Sequence, residues 1–191
     1  MIEEHFAALA DSASRAGRYA RSIDSWGRRP ATVLESGGRL PACGDDGRAA
    51  EVQHPTGELA GRFLYDRRPC AAIPLHADHS ACTAILNDYG EQEVFARGVR
   101  AHGRPGDVPI ALSTSERGQN VITAEKTAHE IGMSTWALTG PAMLAAVCDE
   151  AVAVQAPSPA TVQEMHLALI HALCAVFDVA GSRREEGSAV R

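Results

Sequence analysis

The stretch Leu40-Pro-Ala-Cys-Gly-Asp-Asp-Gly-Arg48 decides the fold. A short apolar run enters a Gly-flanked turn, and the turn opens a helix expected over 48–63. A strand, a tight loop and a helix in that order form the unit from which parallel sheets are built. The unit recurs downstream. Short apolar strands are expected over 71–75, 108–113, 134–138 and 150–154. Helices are expected near 80–86, 92–101, 119–132, 140–147 and 161–179. The alternation predicts an α/β fold: a three-layer α-β-α sandwich on a five-stranded parallel sheet covered on both faces. Upstream, Phe6, Leu9, Ala10, Ala13, Ala16 and Ala20 recur at helical spacing, so one or two helices are expected over residues 2–27. Trp26-Gly-Arg-Arg-Pro30 is read as their end, with a short further helix over 31–35.

The chain has 191 residues, which fits one domain over 1–180 followed by a disordered polar tail over 181–191. Net charge is -6, and no basic cluster is long enough to track phosphates, so nucleic acid is not an expected partner. No apolar run approaches the ~18 residues of a membrane span, so no membrane contact is expected. The acidic start Met1-Ile-Glu-Glu-His5 lacks the layout of a signal peptide, and a cytoplasmic protein is expected. Cys43, Cys70, Cys82, Cys148 and Cys174 are odd in number and match no zinc or redox spacing, so reduced thiols are expected.

Two polar clusters lie on predicted helices. His54 and Glu58 are four residues apart and share a helix face, and Gln163, His166 and His171 recur along the last helix. If the helices meet, imidazoles, a carboxylate and an amide surround one small volume, able to hold zinc or move protons near neutral pH. The competing reading is two amphipathic helices with their polar sides in water. Two loops follow predicted strands and open helices: Gly44-Asp45-Asp46-Gly47-Arg48 and Ser113-Thr114-Ser115-Glu116-Arg117-Gly118. Such loops cradle phosphate through N–H groups, hydroxyls and the helix dipole, or simply cap the helix.

Taken in order and spacing, several stretches resemble the phosphoheptose isomerases of the sugar isomerase (SIS) fold. These are Gln53-His54 through Glu58 to Phe63, Thr83 to Gly90 with Asn87-Asp88, Gly103 to Val108, Ser113-Thr-Ser115, Leu138-Thr-Gly140 and Val162 to His171. The resemblance spans residues 1–180. It implies a flavodoxin-like SIS sheet and conversion of sedoheptulose 7-phosphate to D-glycero-D-manno-heptose 7-phosphate. It implies one zinc per subunit on His54, Glu58, Gln163 and His171, with Glu58 and His171 as the acid/base pair. It further implies phosphosugar contacts from Asp45, Asp46, Gly47, Arg48, Glu58, Asn87, Asp88, Ser113, Thr114, Ser115 and Gln163. A homotetramer is implied, with residues 1–36 in the assembly. Other SIS proteins bind sugar phosphates or protein partners without catalysis, which is the alternative expectation.

The chain departs from the family's pattern. The family's first loop reads Gly-Asn-Gly-Gly-Ser, whereas here an amide and a glycine become Asp45 and Asp46 and the serine becomes Arg48. The second loop gains Glu116 and Arg117 and loses a serine. Two carboxylates repel a phosphate dianion, and Arg48 is expected to offset them or to pair with Asp46. Pro41, Pro74 and Pro109 fall in predicted strands, and Pro55 falls between His54 and Glu58, where it threatens to re-aim them. His76 and His79 read as loop residues, His5, His102 and His129 as surface, and His166 as packing beside the site.

Overall fold

The central strands are buried throughout, and successive side chains pack into two different apolar clusters. Ile110, Leu112, Trp136 and Leu138 join one apolar cluster, while Ala111 and Ala137 join a second. Side chains on a strand point to opposite faces in turn, so the sheet is covered on both sides. The computed structural model describes residues 1–114, 118–140 and 143–188. Five parallel strands lie in the order β2-β1-β3-β4-β5: β1 (Leu40–Gly44), β2 (Ala72–Pro74), β3 (Ile110–Ser113), β4 (Trp136–Thr139) and β5 (Glu150–Ala153). Helices α1 (Ile2–Ser14), α2 (Ala20–Glu35), α3 (Gly47–Ala60) and α7 (Pro159–Ser188) pack among themselves on one side. Helices α4 (His79–Tyr89), α5 (Glu93–His102) and α6 (Gln119–Ile131) serve the other. The three-layer expectation is borne out.

The chain order reverses between β1 and β3, which places the loops after these strands side by side at the carboxyl edge. The prolines are absorbed at the sheet's margins. Pro74 closes the edge strand β2, Pro109 precedes β3, and Pro41 lies before the β1–β3 ladder begins at Ala42 and Ile110. Pro30 does not end the second helix as expected; α2 runs through it to Glu35. Packing outweighs the lost hydrogen bond there. Trp26, Ala31 and Leu34 are buried, and Trp26 stacks on Trp136 with ring centroids 4.9 Å apart. Gly27 lets α7 approach, since a Cβ there would lie 2.5 Å from Val176.

The last helix also exceeds its expected end and continues to Ser188. Its extension holds Arg183, Arg184, Glu185 and Glu186, all good helix formers by type. Over 159–181, mean hydropathy reaches 1.4, long and apolar enough to cross a membrane by composition. This corrects the expectation from uninterrupted runs, which scattered polar residues hide. Here the segment is a core helix, with Val162, Met165, Leu169, Ile170, Leu173 and Phe177 buried.

Glu125 on α6 is buried under the other face, where the Cys148 thiol donates to its Oε2 at 3.6 Å. Burial, aided by the charge of Asp149, pushes its carboxyl up to about 8. In the unfolded chain the ordinary value returns. Between roughly pH 4.5 and 8 the unfolded chain therefore releases a proton that the native state keeps. Stability from this group is full at acid pH and is lost as pH rises, by up to about 1.4 kcal/mol per unit. Glu125→Gln removes that slope. Urea midpoints at about pH 6 and pH 8 should show the wild type losing stability relative to the variant; parallel losses would contradict the assignment.

Candidate active site

The loop after β1 is a tight turn. Arg48 N–H donates to Asp45 O at 2.9 Å, and Asp46 between them has φ 52° and ψ -127°. That conformation suits glycine and costs an aspartate on the order of 1–3 kcal/mol. Its carboxylate is solvent-exposed and reaches the Arg48 guanidinium at 3.4 Å. The same guanidinium donates to Thr114 Oγ1 at 2.7 Å, so Arg48 bridges the loops after β1 and β3. Asp45 accepts from Asn120 Nδ2 at 2.7 Å. Burial raises the pKa of Asp45, with Asp46 and Glu91 adding to the rise and Asn120 and Arg48 opposing it.

Helix α3 leads from this loop to the chemistry. Pro55 is buried within it, yet the helix holds from Gly47 to Ala60 and His54 stays beside Glu58, with Nε2 3.7 Å from Oε1. From α7, His171 brings its Nε2 to 2.9 Å from His54 Nε2. Phe63 stacks on the His171 ring at 5.6 Å between centroids. A buried ion pair fixes the two helices relative to each other. Arg67 Nε donates to Asp178 Oδ1 on α7 at 2.7 Å, and Arg67 Nη2 donates to Glu58 O at 2.7 Å. Burial works against ionisation of Asp178, but Arg67 and the N–H groups of Leu64 and Tyr65 hold its carboxyl below the ordinary value.

Gln163, at the start of α7, lies against the Gly47 end of α3. Its Nε2 would be 2.4 Å from a Cβ at Gly47, and its amide lies near enough to Glu51 to favour that carboxylate's charged form. Thus His54, Glu58 and His171 gather at one end of a common strip, Gln163 and Glu51 lie along it, and Arg48 with Thr114 forms the other end. Glu51 was missed in the sequence. Its signal was the spacing 51, 54, 58 on one helix face, obscured because glutamates on surface helices are common.

The other predicted positions divide. Ser113 ends β3 in the buried layer, and Ser115, Glu116 and Arg117 lie outside the described residues. Asn87 Nδ2 donates to Asp88 Oδ1 at 2.7 Å on the exposed end of α4, and among the described residues no hydrogen bond joins either to the cluster. His166 is fully buried and neither ring nitrogen is well hydrogen-bonded. Burial pushes its pKa down to about 4, with the Thr139 main chain a weak opposing influence. His5 lies at the surface, where it pairs with the part-exposed Glu164 at 2.8 Å, next in sequence to Gln163. A cleft of about 500 Å³ lined by β2, α4 and α5 contains none of the cluster residues.

The cluster suits proton transfer. Facing imidazole nitrogens share a proton or a cation more easily than both carry charge, and a carboxylate beside them is a ready base. Among the described residues, no group of three or more His, Cys, Asp or Glu side chains forms a ready-made metal site. The donor types nevertheless fit a small borderline cation: two imidazole nitrogens point at one another, a carboxylate oxygen is adjacent, and the Gln163 amide lies about two turns earlier on the helix that carries His171.

Comparison with known proteins gives concordant matches. Residues 4–140 match the SIS domain family. A phosphoheptose isomerase of Streptomyces coelicolor is 55% identical over 165 residues, covering 85% of this chain and 71% of that protein. One of Rhodospirillum rubrum is 40% identical over 171 residues, covering 88% and 91%. The solved phosphoheptose isomerase GmhA from Neisseria gonorrhoeae superposes with a TM-score of 0.85 at 38% identity, over 93% of this chain and 97% of that one.

Proposed function

The chain belongs to the SIS domain family, and we infer that it is a ketose–aldose isomerase converting sedoheptulose 7-phosphate to D-glycero-D-manno-heptose 7-phosphate. The observation that carries the reading is the meeting of His54, Glu58 and His171 at the α3–α7 contact. The reaction moves a proton from C-1 to C-2 and another from O-1 to O-2, through an enediol. We assign the carbon-bound proton to the Glu58 carboxylate and the oxygen-bound protons to His171. Phe63 and His54 hold the His171 ring at its face and at its nitrogen, which fixes its aim.

His54, Glu58, Gln163 and His171 would hold zinc. When bound, it would polarise the two oxygens between which the hydrogen moves. The phosphate end of the substrate is assigned to Arg48, Gly47, Ser113, Thr114 and the neighbouring Ser115, with Asp45 held off by Asn120 and Asp46 turned to solvent. Asn87 and Asp88 are kept as substrate contacts after β2. A homotetramer is supported by α4, which has no buried residue and exposes Leu86 and Tyr89, and by the apolar groove of Ala13, Ala16, Ala20, Met165, Ala168 and Ala172. A cytoplasmic setting fits a phosphosugar substrate. The test is direct: zinc-loaded protein incubated with sedoheptulose 7-phosphate should yield the aldose 7-phosphate. A folded protein that forms none would overturn the reading.

A further inference from the structure

Glu51 has no part in the chemistry assigned above, yet its placement is costly. One of its oxygens, Oε2, is buried without a hydrogen-bond partner. Water would ordinarily solvate a carboxylate on a helix flank, and burying one without full pairing is unfavourable. Two groups face it. The Arg48 guanidinium and the Gln163 amide both lie near enough to favour its charge. Gln163 is in turn pressed against Gly47, where its Nε2 is the nearest atom and its Oε1 the farther one. A glutamine amide has two chemically different ends, and only the oxygen can ligate a cation or accept from a hydroxyl. Something must choose which end faces the site.

We propose that Glu51 is a positioning residue: it accepts from Gln163 Nε2, locks the amide against Gly47, and so leaves Gln163 Oε1 as the end available to the His54–Glu58–His171 cluster. Three features of the geometry support it. A carboxylate offers only acceptors, so it selects the N–H₂ end of the amide without ambiguity. The absence of a side chain at Gly47 opens the space in which that end lies. Glu51 also shares its helix face with His54 and Glu58, so one rigid helix carries the lock and the groups it serves. Outer partners of this kind commonly change metal affinity by 10–100-fold when removed.

The proposal rests on the zinc assignment above, and the experiment separates the two. Zinc affinity is measured by competition with a chromophoric chelator for the wild type, Glu51→Ala, Glu51→Gln, Gln163→Ala and the double variant Glu51→Ala/Gln163→Ala. Circular dichroism and thermal melting confirm folding. Glu51→Ala should weaken zinc binding by about 10–100-fold. Glu51→Gln, isosteric and therefore the safer variant to fold, should weaken it by less, because its amide oxygen can still accept but its other end no longer rejects a flipped Gln163. The double variant should bind no more weakly than Gln163→Ala alone, because a residue acting through Gln163 has nothing to act on once Gln163 is gone. Unchanged affinity in Glu51→Ala, or losses that add in the double variant, would overturn the proposal while leaving the zinc assignment standing. A wild type that binds no zinc would overturn both.

Discussion

Glu58→Gln lowers turnover of sedoheptulose 7-phosphate by about 10²–10⁴-fold while the protein stays folded. The amide keeps the shape of the side chain but cannot take a proton from carbon. The main chain of Glu58 stays anchored by Arg67, and the one pairing of its carboxylate that changes is the 3.7 Å approach to His54. His54 and His171 still face each other across 2.9 Å. The loss should therefore appear in kcat, with a smaller effect on KM, since the carboxylate acts most in the transition state. Steady-state kinetics of the two proteins, with circular dichroism as the folding control, make the comparison. Turnover within a few-fold of wild type would remove Glu58 from the role of base.

Arg48→Ala raises KM for the phosphorylated ketose by roughly 10–100-fold, as expected for loss of one charge-assisted contact to phosphate. Arg48 stands where the two strand-end loops meet, and its side chain is only 15% exposed, tied to Thr114 and Asp46. Those ties use part of its donor fork and leave the rest for an anion. Loss of the arginine also releases Asp46, whose exposed carboxylate would then oppose the phosphate without an offsetting charge. The measurement is KM for sedoheptulose 7-phosphate with kcat reported beside it. An unchanged KM would mean that the loop after β3 holds the phosphate alone. Arg48→Lys, which keeps charge but not the fork, should fall between.

The fold was readable because its signals are local and repeated. Short apolar strands alternating with helices have few other solutions, and the order of the layers followed. Prolines misled because their cost depends on tertiary place. Pro30 breaks an isolated helix, yet α2 continues under the packing of Trp26 and Leu34 against the core. Pro109 looked like a strand residue but precedes β3. In the site, spacing predicted that His54 and Glu58 would share a face, but not that His171 would come within hydrogen-bond distance of His54. That contact depends on how α3 meets α7, which Arg67 and Asp178 set from 111 residues apart. The pairing of Arg48 with Asp46 was expected from charge, whereas the capture of Asp45 by Asn120 was not, since asparagine on a helix carries no signal of its partner. Glu51 escaped notice for the same reason.

We assign isomerisation through an enediol to the α3–α7 cluster. This role is tested most directly by incubating zinc-loaded protein with sedoheptulose 7-phosphate in deuterium oxide and following the product by NMR, beside His171→Ala. The wild type should form the aldose 7-phosphate with deuterium entering at C-2, and the variant should form little or none. Product from both proteins alike would contradict the assigned chemistry, as would no product from a folded, zinc-loaded wild type.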